Sequence, residues 1–521
     1  MTSKGPSRRR RACLATLAVG VLAAAGLAQR GTDPAEQLAV RPTATPAYTS
    51  KVERPNVLLI TADDLSYLDM EYLPTVRKLI ERAGVTFSDA LAPTPICVPA
   101  RASLLTGQYA HNHGAVTISG PRGGYAAFND HDTVATALQA HGYDTLFTGK
   151  YLNGYGKDGT EHDIPPGWTQ WRATLDPSTY RFFSPRMNIN GELGRQKGYT
   201  TDIMTRQAEE MVTAERGSGR SWFAWVNYVA PHSGGPVGPG DPRRVYAGTD
   251  AAYQTTVPDK KDRDLYTDVQ LPERPDMFPT QTSHLPAHSP SQQRYDARQR
   301  AALTVVNRRR LQALASLDRN VGHLLQTLRK NRQLKRTLVI FTSDNGFAIG
   351  PHNVHGKRWY YDEVLQIPVL MRGPGVPRAR TVRTAISNPD IATTILAVTG
   401  AREPRPQDGI DLMPWLRAPQ QVRVIPIEAW RVKNGLRSTY WGVRVGTWTY
   451  IRFRAGGDEE VYDRSGDPYE MHDLAHDPRY AAQVEALRRL ALRYQDCAGD
   501  TCPQRLYRAA SPVDLANLAD P

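Results

Sequence analysis

Cysteine is scarce in this chain, with four residues in 521. That excludes a small scaffold knitted together by many disulfides. No cysteine or histidine stands beside the clustered Asp63-Asp64 or Asp344-Asn345, so zinc is not expected there. Beyond residue 28 no stretch reaches roughly 18 uninterrupted apolar residues, and no membrane span is expected in that part of the chain. No internal repeat is present. The net charge is +13, yet no nucleic-acid-binding motif accompanies it, so no nucleic-acid partner is expected. A hydrophobic content of 40% with 22% charged residues excludes a disordered chain.

The one long uncharged run is N-terminal. Lys4 and Arg8 to Arg11 precede Ala12 to Ala28, and Gly26-Leu27-Ala28 supplies small residues for cleavage. Residues 1–28 read as a signal peptide, with an Ala-rich run short for a lasting anchor. The arginines hint at twin-arginine export. The expected location is secreted. Residues 29–54 are polar and contain Pro and Thr, as a flexible linker does. Loss of the leader takes the net charge from +13 to +8, which suits a polyanionic substrate as well as general solubility. Cys13 leaves with the leader. Cys497 and Cys502 of C-A-G-D-T-C are expected to pair in an oxidising compartment. Cys97 is then a lone thiol in an exported protein, which points to reactivity. The alternative is a buried apolar cysteine, and the flanking Pro and Arg argue against it.

Short apolar runs alternate with helical patterns. Asn56 to Thr61, Asp144 to Thr148, Trp222 to Val229 and Thr337 to Thr342 have the length and continuity of strands covered on both faces. Between Ala302 and Leu328, Leu303, Val306, Leu314, Leu317, Val321, Leu324 and Leu328 recur at helical steps. The fold class is α/β with a largely parallel sheet. A main domain is expected over 55–420, with a Pro- and Gly-rich surface insertion over 234–293. A smaller C-terminal α+β subdomain follows over 421–521. In it Tyr440 to Arg454 alternates like an antiparallel hairpin, and Tyr480 to Tyr494 is helix-like.

Each strand-like run ends in a polar cluster: Asp63-Asp64, Gly149-Lys150, Pro231-His232 and Asp344-Asn345. Any one of these could be a turn or a helix cap. Together they fall where open α/β sheets bind ligands, outside the carboxyl ends of the strands. Asp63, Asp64, Asp344 and Asn345 offer only oxygen, which suits calcium, with magnesium second. Around Cys97 the chain reads P-T-P-I-C-V-P-A-R-A-S-L-L-T-G. Pro99 suits the first position of a helix beginning just after the cysteine. That places Cys97 at a helix N-terminus that favours anions, with Arg101 adding a guanidinium.

The C-x-P-x-R segment, Cys97-Val98-Pro99-Ala100-Arg101 followed by Leu105-Thr106-Gly107, resembles the type I sulfatases of the alkaline-phosphatase-like superfamily. Asp63-Asp64, Thr148-Gly149-Lys150, Ser343-Asp344-Asn345-Gly346, Gly356-Lys357, Arg372 to Gly375 and Asp467 to Glu470 extend the resemblance over about residues 55–474. It implies an alkaline-phosphatase-like sandwich and conversion of Cys97 to formylglycine (3-oxoalanine) by a maturase. The hydrate of that aldehyde would attack the sulfur of a sulfate ester, and its second hydroxyl would then expel sulfate. It further implies Asp63, Asp64, Asp344, Asn345 and modified Cys97 as calcium ligands, and Arg101, Lys150, His232 and Lys357 around the sulfate. His232 and Lys357 are candidate proton donors to the leaving oxygen. The chain departs from the family at Leu152, where many members carry histidine. G-K-Y-L-N-G-Y, with Tyr109 to His113 upstream, looks like the N-acetylglucosamine-6-sulfatase and extracellular endosulfatase branch. This implies a 6-O-sulfated amino sugar or other sulfated glycan as substrate. Asn153, His352 and His355 are weaker substrate-binding candidates, while His111 and His113 read as local structure. The alternatives within the superfamily are an arylsulfatase or a phosphonate monoester or phosphodiester hydrolase. A more remote one is an inactive polyanion-binding protein.

Overall fold

The computed structural model describes residues 54–238, 240–242, 255–281, 294–431, 438–502, 507–508 and 515. The expected leader, the linker apart from Arg54, and parts of the 234–293 segment lie outside these residues. Its centre is a ten-stranded mixed sheet. The strands are β1 (Asn56–Asp63), β2 (Val85–Phe87), β3 (Asp144–Gly149), β4 (Gln170–Thr174), β5 (Arg186–Ile189), β6 (Glu192–Arg195), β7 (Trp222–Pro231), β8 (Thr337–Ser343), β9 (Val369–Arg372) and β10 (Arg380–Val382). Their spatial order is β10-β2-β9-β8-β1-β7-β3-β4-β5-β6. β8, β1, β7, β3 and β4 run parallel, and antiparallel pairings begin at β9 on one side and β5 on the other.

The four apolar runs of the sequence are β1, β3, β7 and β8, adjacent in the parallel core and buried along their whole length. Six longer helices accompany them: α1 (Cys97–Thr106), α2 (Val134–Ala140), α3 (Thr200–Ala214), α4 (Ala297–Lys330), α5 (Asn388–Thr399) and α6 (Ala481–Gln495). Successive side chains of a strand point to opposite faces. Val57 and Leu59 of β1 therefore join Val98, Leu138 and Ile395 from α1, α2 and α5. Leu58 and Ile60 join Met204, Leu314 and Leu317 from α3 and α4. Helices on both faces are why these strands read as continuous apolar runs rather than alternating ones. Each fully buried Leu or Ile contributes about 1.5–3 kcal/mol.

Two helix boundaries differ from the expectation. α4 begins at Ala297, because Asp296 and Gln299 form a reciprocal capping box upstream of the apolar periodicity. α1 begins at Cys97 itself, which puts Pro99 third rather than first. The first four N–H groups of a helix have no partner within it, so proline costs little at either place.

A second, antiparallel sheet follows, made of β11 (Val424–Trp430), β12 (Ser438–Val445), β13 (Trp448–Phe453) and β14 (Glu459–Asp463) in chain order. The expected hairpin is β12–β13. One face, with Val443, Val445 and Tyr450, packs on Leu487 and Leu490 of α6. The other, with Ile425, Ile451 and Phe453, packs on Tyr360, Tyr361 and Leu365. Cys497 and Cys502 are disulfide-bonded, as expected. Segment 234–293 is not all surface, since Val257, Asp262 and Asp276 are buried. Among the described residues no helix is long and apolar enough to cross a membrane.

Asp390 ties the end of the central region to the second sheet. It accepts the backbone N–H of Ser387 at 2.6 Å and that of Ile410 at 2.8 Å, and it pairs with buried Arg423 at 2.5 Å. Asp390→Ala would leave that guanidinium buried and unpaired, which costs about 3–5 kcal/mol. The expected outcome is a marked fall in the urea midpoint. An unchanged midpoint would show that the pair contributes nothing net.

Candidate active site

The carboxyl ends of the four parallel strands meet at one cluster. β1 leaves its register with β7 between Thr61 and Asp63. Asp64 then adopts φ +69°, a left-handed conformation that aspartate tolerates better than most residues. Arg310 of α4 holds this turn, donating to the Asp64 carbonyl at 2.6 Å and to Asp69 at 3.1 Å. β3 delivers Lys150 through Gly149, at φ +111°. A Cβ there would lie 1.9 Å from the Asn227 carbonyl oxygen, so only glycine allows the two strands this approach.

Arg101 is wholly buried and joins the parts. Its Nε donates to Asp344 Oδ2 at 2.8 Å, and its Nη1 donates to the Lys150 carbonyl at 2.9 Å and to Asn227 Oδ1 at 3.0 Å. Nη2 lies 3.8 Å from Asp63 and makes no hydrogen bond among the described residues. Lys150 Nζ reaches Asp63 Oδ2 at 2.5 Å. Lys357 Nζ reaches Asp64 Oδ1 at 2.5 Å and the Cys97 sulfur at 2.8 Å. That sulfur stands 3.6 Å from Asp63 Oδ1. His232 Nε2 lies 3.6 Å from Asp64 Oδ2, and its Nδ1 donates to the Ser233 carbonyl at 2.6 Å.

Three carboxylates thus face three cations in a buried space. Burial raises the pKa of Asp63, but Lys150, His232, Arg101 and Lys357 outweigh it and hold the carboxyl well below its usual range. Asp64 is likewise lowered against burial, chiefly by Lys357 and then His232. Asp344 is pushed up to about 6 by burial and by Asp63. Burial lowers the His232 pKa despite Asp63 and Asp64, so the ring favours its neutral form.

The oxygen donors Asp63, Asp64 and Asn345 fit a hard cation, but the expectation that no cysteine or histidine stands beside the aspartates is corrected, because the fold carries Cys97 to them from the start of α1 and His232 from the end of β7. One ligating atom each from Asp63, Asp64, Cys97 and His232 lie within 4.8 Å of one another. Asn345 Nδ2 donates to Asp64 at 2.7 Å and to the Gly346 carbonyl at 2.9 Å, which leaves Asn345 Oδ1 buried without a hydrogen-bond partner among the described residues. An orphaned buried oxygen beside two carboxylates is what a calcium or magnesium site requires. Asp344 is more fully engaged. Its Oδ1 accepts the N–H of Asp64 at 3.1 Å and that of Asn345 at 2.9 Å, while Oδ2 serves Arg101.

The structure therefore brings together Asp63, Asp64, Cys97, Arg101, Lys150, His232, Asp344, Asn345 and Lys357. Asn153 stands at the border, donating to Tyr180 Oη at 2.7 Å. His352 is stacked on Tyr361 at 3.7 Å, and His355 sits edge-on to Phe347 at 5.3 Å. Burial lowers the pKa of both to about 3. Leu152 is buried in the apolar cluster behind β3. His111 bridges Glu428 and the Cys497 carbonyl, each at 2.8 Å.

Three residues were not anticipated. Arg310 falls midway between Val306 and Leu314 on the apolar stripe of α4, and a charge at a core-facing position was its signal. Asn227 is the polar interruption of the apolar run in β7. Tyr180 gave no signal, yet its ring lies 4.6 Å from that of His232 and 5.2 Å from Lys150 Nζ.

Comparison with known proteins is consistent with this geometry. A family model described as Sulfatase matches residues 55–401, and one described as N-sulphoglucosamine sulphohydrolase, C-terminal, matches 350–496. An arylsulfatase of Volvox carteri is 27% identical over 89% of this chain and 78% of its own length. The N-acetylglucosamine-6-sulfatase of Homo sapiens is 31% identical over 70% of this chain and 64% of its own length. A protein crystallised with its substrate D-glucosamine-2-N,6-O-disulfate superimposes with TM-score 0.64 at 22% identity, covering 85% of this chain and 98% of that one. The chain belongs to the sulfatase family, whose members are sulfuric ester hydrolases built on the alkaline-phosphatase-like fold.

Proposed function

We propose that this chain is an exported enzyme that hydrolyses a sulfate ester of a glycan, with Cys97 converted to formylglycine and a calcium ion beside it. One juxtaposition carries the reading. At the first turn of α1 the Cys97 sulfur stands between Asp63 Oδ1 at 3.6 Å and Lys357 Nζ at 2.8 Å. An unmodified thiol suits the task poorly. Burial pushes its pKa up to about 11 against the pull of Lys150 and Lys357, so it stays protonated at neutral pH.

The oxidised side chain, as its hydrate, has two hydroxyls. One would attack the sulfate sulfur, and the alcohol would depart. The other would then give up its proton, and sulfate would be expelled as the aldehyde returned. Calcium, or magnesium second, held by Asp63, Asp64, Asn345 and modified Cys97 with Asp344 behind them, would make the attacking hydroxyl more acidic.

The remaining roles follow from the side chains. Arg101 adds positive charge behind the transferring group, with Nη2 3.8 Å from Asp63, while its other nitrogens fix Asp344 and the Lys150 carbonyl. Lys150 and Lys357 supply positive charge where negative charge builds up. Burial lowers the Lys357 pKa, but the carboxylates of Asp64 and Asp63 oppose it and the pKa stays raised, so the ammonium has a proton to give to the leaving oxygen. A carbonyl only accepts, so the Ser233 contact keeps the neutral His232 proton on Nδ1 and leaves the Nε2 lone pair towards the cluster. That suits a base for sulfate release, the task left open by Leu152, rather than the proton donor that the resemblance implied for His232, and leaves Lys357 as the donor. The relative named for N-acetylglucosamine 6-sulfate and the neighbour bound to a glucosamine disulfate favour a 6-O-sulfated amino sugar. The Volvox relative supports an aryl sulfate as the second reading.

Mass spectrometry of the Cys97 peptide from active protein should show sulfur and two hydrogens exchanged for oxygen. Cys97→Ala should abolish turnover. An unmodified thiol in active enzyme would overturn the mechanism. Chelation should remove activity, with calcium restoring it better than magnesium. Full activity in excess chelator would remove the metal from the proposal. Lys357→Ala should cost about 10²–10⁴-fold on an alkyl sulfate such as glucosamine 6-sulfate. It should cost far less on 4-nitrophenyl sulfate, whose leaving oxygen needs no proton. Equal losses on the two esters would exclude Lys357 as the acid.

A further inference from the structure

Well away from Cys97 the surface carries a groove of about 940 Å³. Its apolar floor includes Leu79, Leu325 and Leu334, and its rim carries Arg319, Arg329, Arg332, Lys335 and Arg372. Among the described residues no carboxylate lines it. Arg319, His323, Gln326 and Arg329 recur at three- and four-residue steps, so one face of α4 points into the groove while Leu317, Val321, Leu324 and Leu328 face the core. Arg319 is paired with Asp262 at 2.8 Å. Among the described residues no carboxylate pairs with Arg329, Arg332 or Lys335. Arg372 donates Nη1 to the Leu79 carbonyl at 2.5 Å, and its buried Nε has no hydrogen-bond partner among these residues. Burial and the neighbouring Arg378 both lower its pKa, so this corner holds more positive charge than it can neutralise.

The groove is separate from the catalytic cluster. Arg310 of α4 touches Asp64, and Arg329 lies further along the same helix, about 28 Å along the axis at 1.5 Å per residue. The site lies at the carboxyl ends of the parallel strands, whereas Leu334 and Lys335 immediately precede the amino end of β8. Part of the basic rim follows from favourable placement of cations at a helix C-terminus. That accounts for Arg329 alone among the rim residues, since Arg332, Lys335 and Arg372 come from beyond the helix.

We propose that this groove is a second binding site for a sulfated glycan chain, which it grips by sulfate groups on the rim and by sugar carbon faces on the floor. It goes beyond the catalytic reading and shares with it only the class of ligand. A small sulfate ester fills one site. A polymer long enough to span the distance occupies both, so the groove raises affinity for chains without contacting the reacting ester.

The test is calorimetric titration of the full Cys97→Ala chain with a size-defined heparin hexasaccharide, which needs no turnover. Arg329→Glu/Arg332→Glu/Lys335→Glu should weaken binding about tenfold or more and flatten its salt dependence. A control, Arg186→Glu/Arg195→Glu/Lys197→Glu, changes the net charge equally at the far edge of the sheet. It should shift binding less than about threefold, with both variants retaining the parent's circular dichroism and melting temperature. Equal weakening in the two variants would mean general attraction by net charge and would overturn the site. So would unchanged binding in the groove variant. An oligodeoxythymidine of matched charge that binds the groove as tightly would overturn the glycan assignment. Loss of aryl sulfatase activity in the parent enzyme would bear on the catalytic reading and leave these titrations standing.

Discussion

A single buried guanidinium holds the catalytic end of this protein together. Arg101 has no exposed surface, and its hydrogen bonds run to the end of β8, the end of β3 and the interior of β7, with Asp63 of β1 within ion-pair range. A charge in such a place is tolerated only when its neighbours are fixed around it. Asp344 and Asp63 raise the Arg101 pKa against the opposing effect of burial. The same contacts set the spacing of the strand ends, so the geometry of the site and the placement of α1 are one constraint. Asp344 illustrates the consequence. Its two oxygens are divided between Arg101 and the backbone N–H groups of Asp64 and Asn345, so it couples the acidic turns after β1 and β8 to the helix that carries Cys97.

The second sheet matters for the same site. Lys357 follows Gly356, and the short segment after it places Tyr360 and Tyr361 against Ile425, Ile451 and Phe453 of the antiparallel sheet. Asp362 is held by Arg444 at 2.6 Å and Arg464 at 3.0 Å. The C-terminal region thus braces the loop that brings the second lysine to Cys97. Cys97 and Lys357, 260 residues apart, meet because one sheet orients the helix and the other supports the loop.

Much of this was legible in the sequence for a physical reason. Strands buried on both faces leave continuous apolar runs, and their carboxyl ends leave abrupt polar clusters. Asp63, Lys150, His232 and Asp344 were visible in that way, and so was α4 through its periodicity. What stayed hidden depends on contacts across the chain. Tyr180 lies on a single 3₁₀ turn whose local pattern says nothing of its neighbours. The burial of His352 against Tyr361 follows from the second sheet, not from the nearby Lys357. The capping box that lengthens α4 falls in polar sequence, where periodicity carries no information. Arg310 and Asn227 were polar residues in apolar patterns, and each proves to hold a strand end in place.

The burial of Cys97 bears on timing. The residue is 1% exposed, roofed by lysines and enclosed by strand ends. With so little of it exposed, the sulfur is out of reach of a second enzyme once the strand ends have closed around it. On the proposed mechanism the oxidation therefore precedes closure of the sheet, during the interval when the chain is still being made or exported. Folding that outruns the maturase would yield a stable, correctly shaped and permanently silent molecule. On that mechanism the fraction of active protein in a preparation would record a race between two rates, decided before the chain is first at rest.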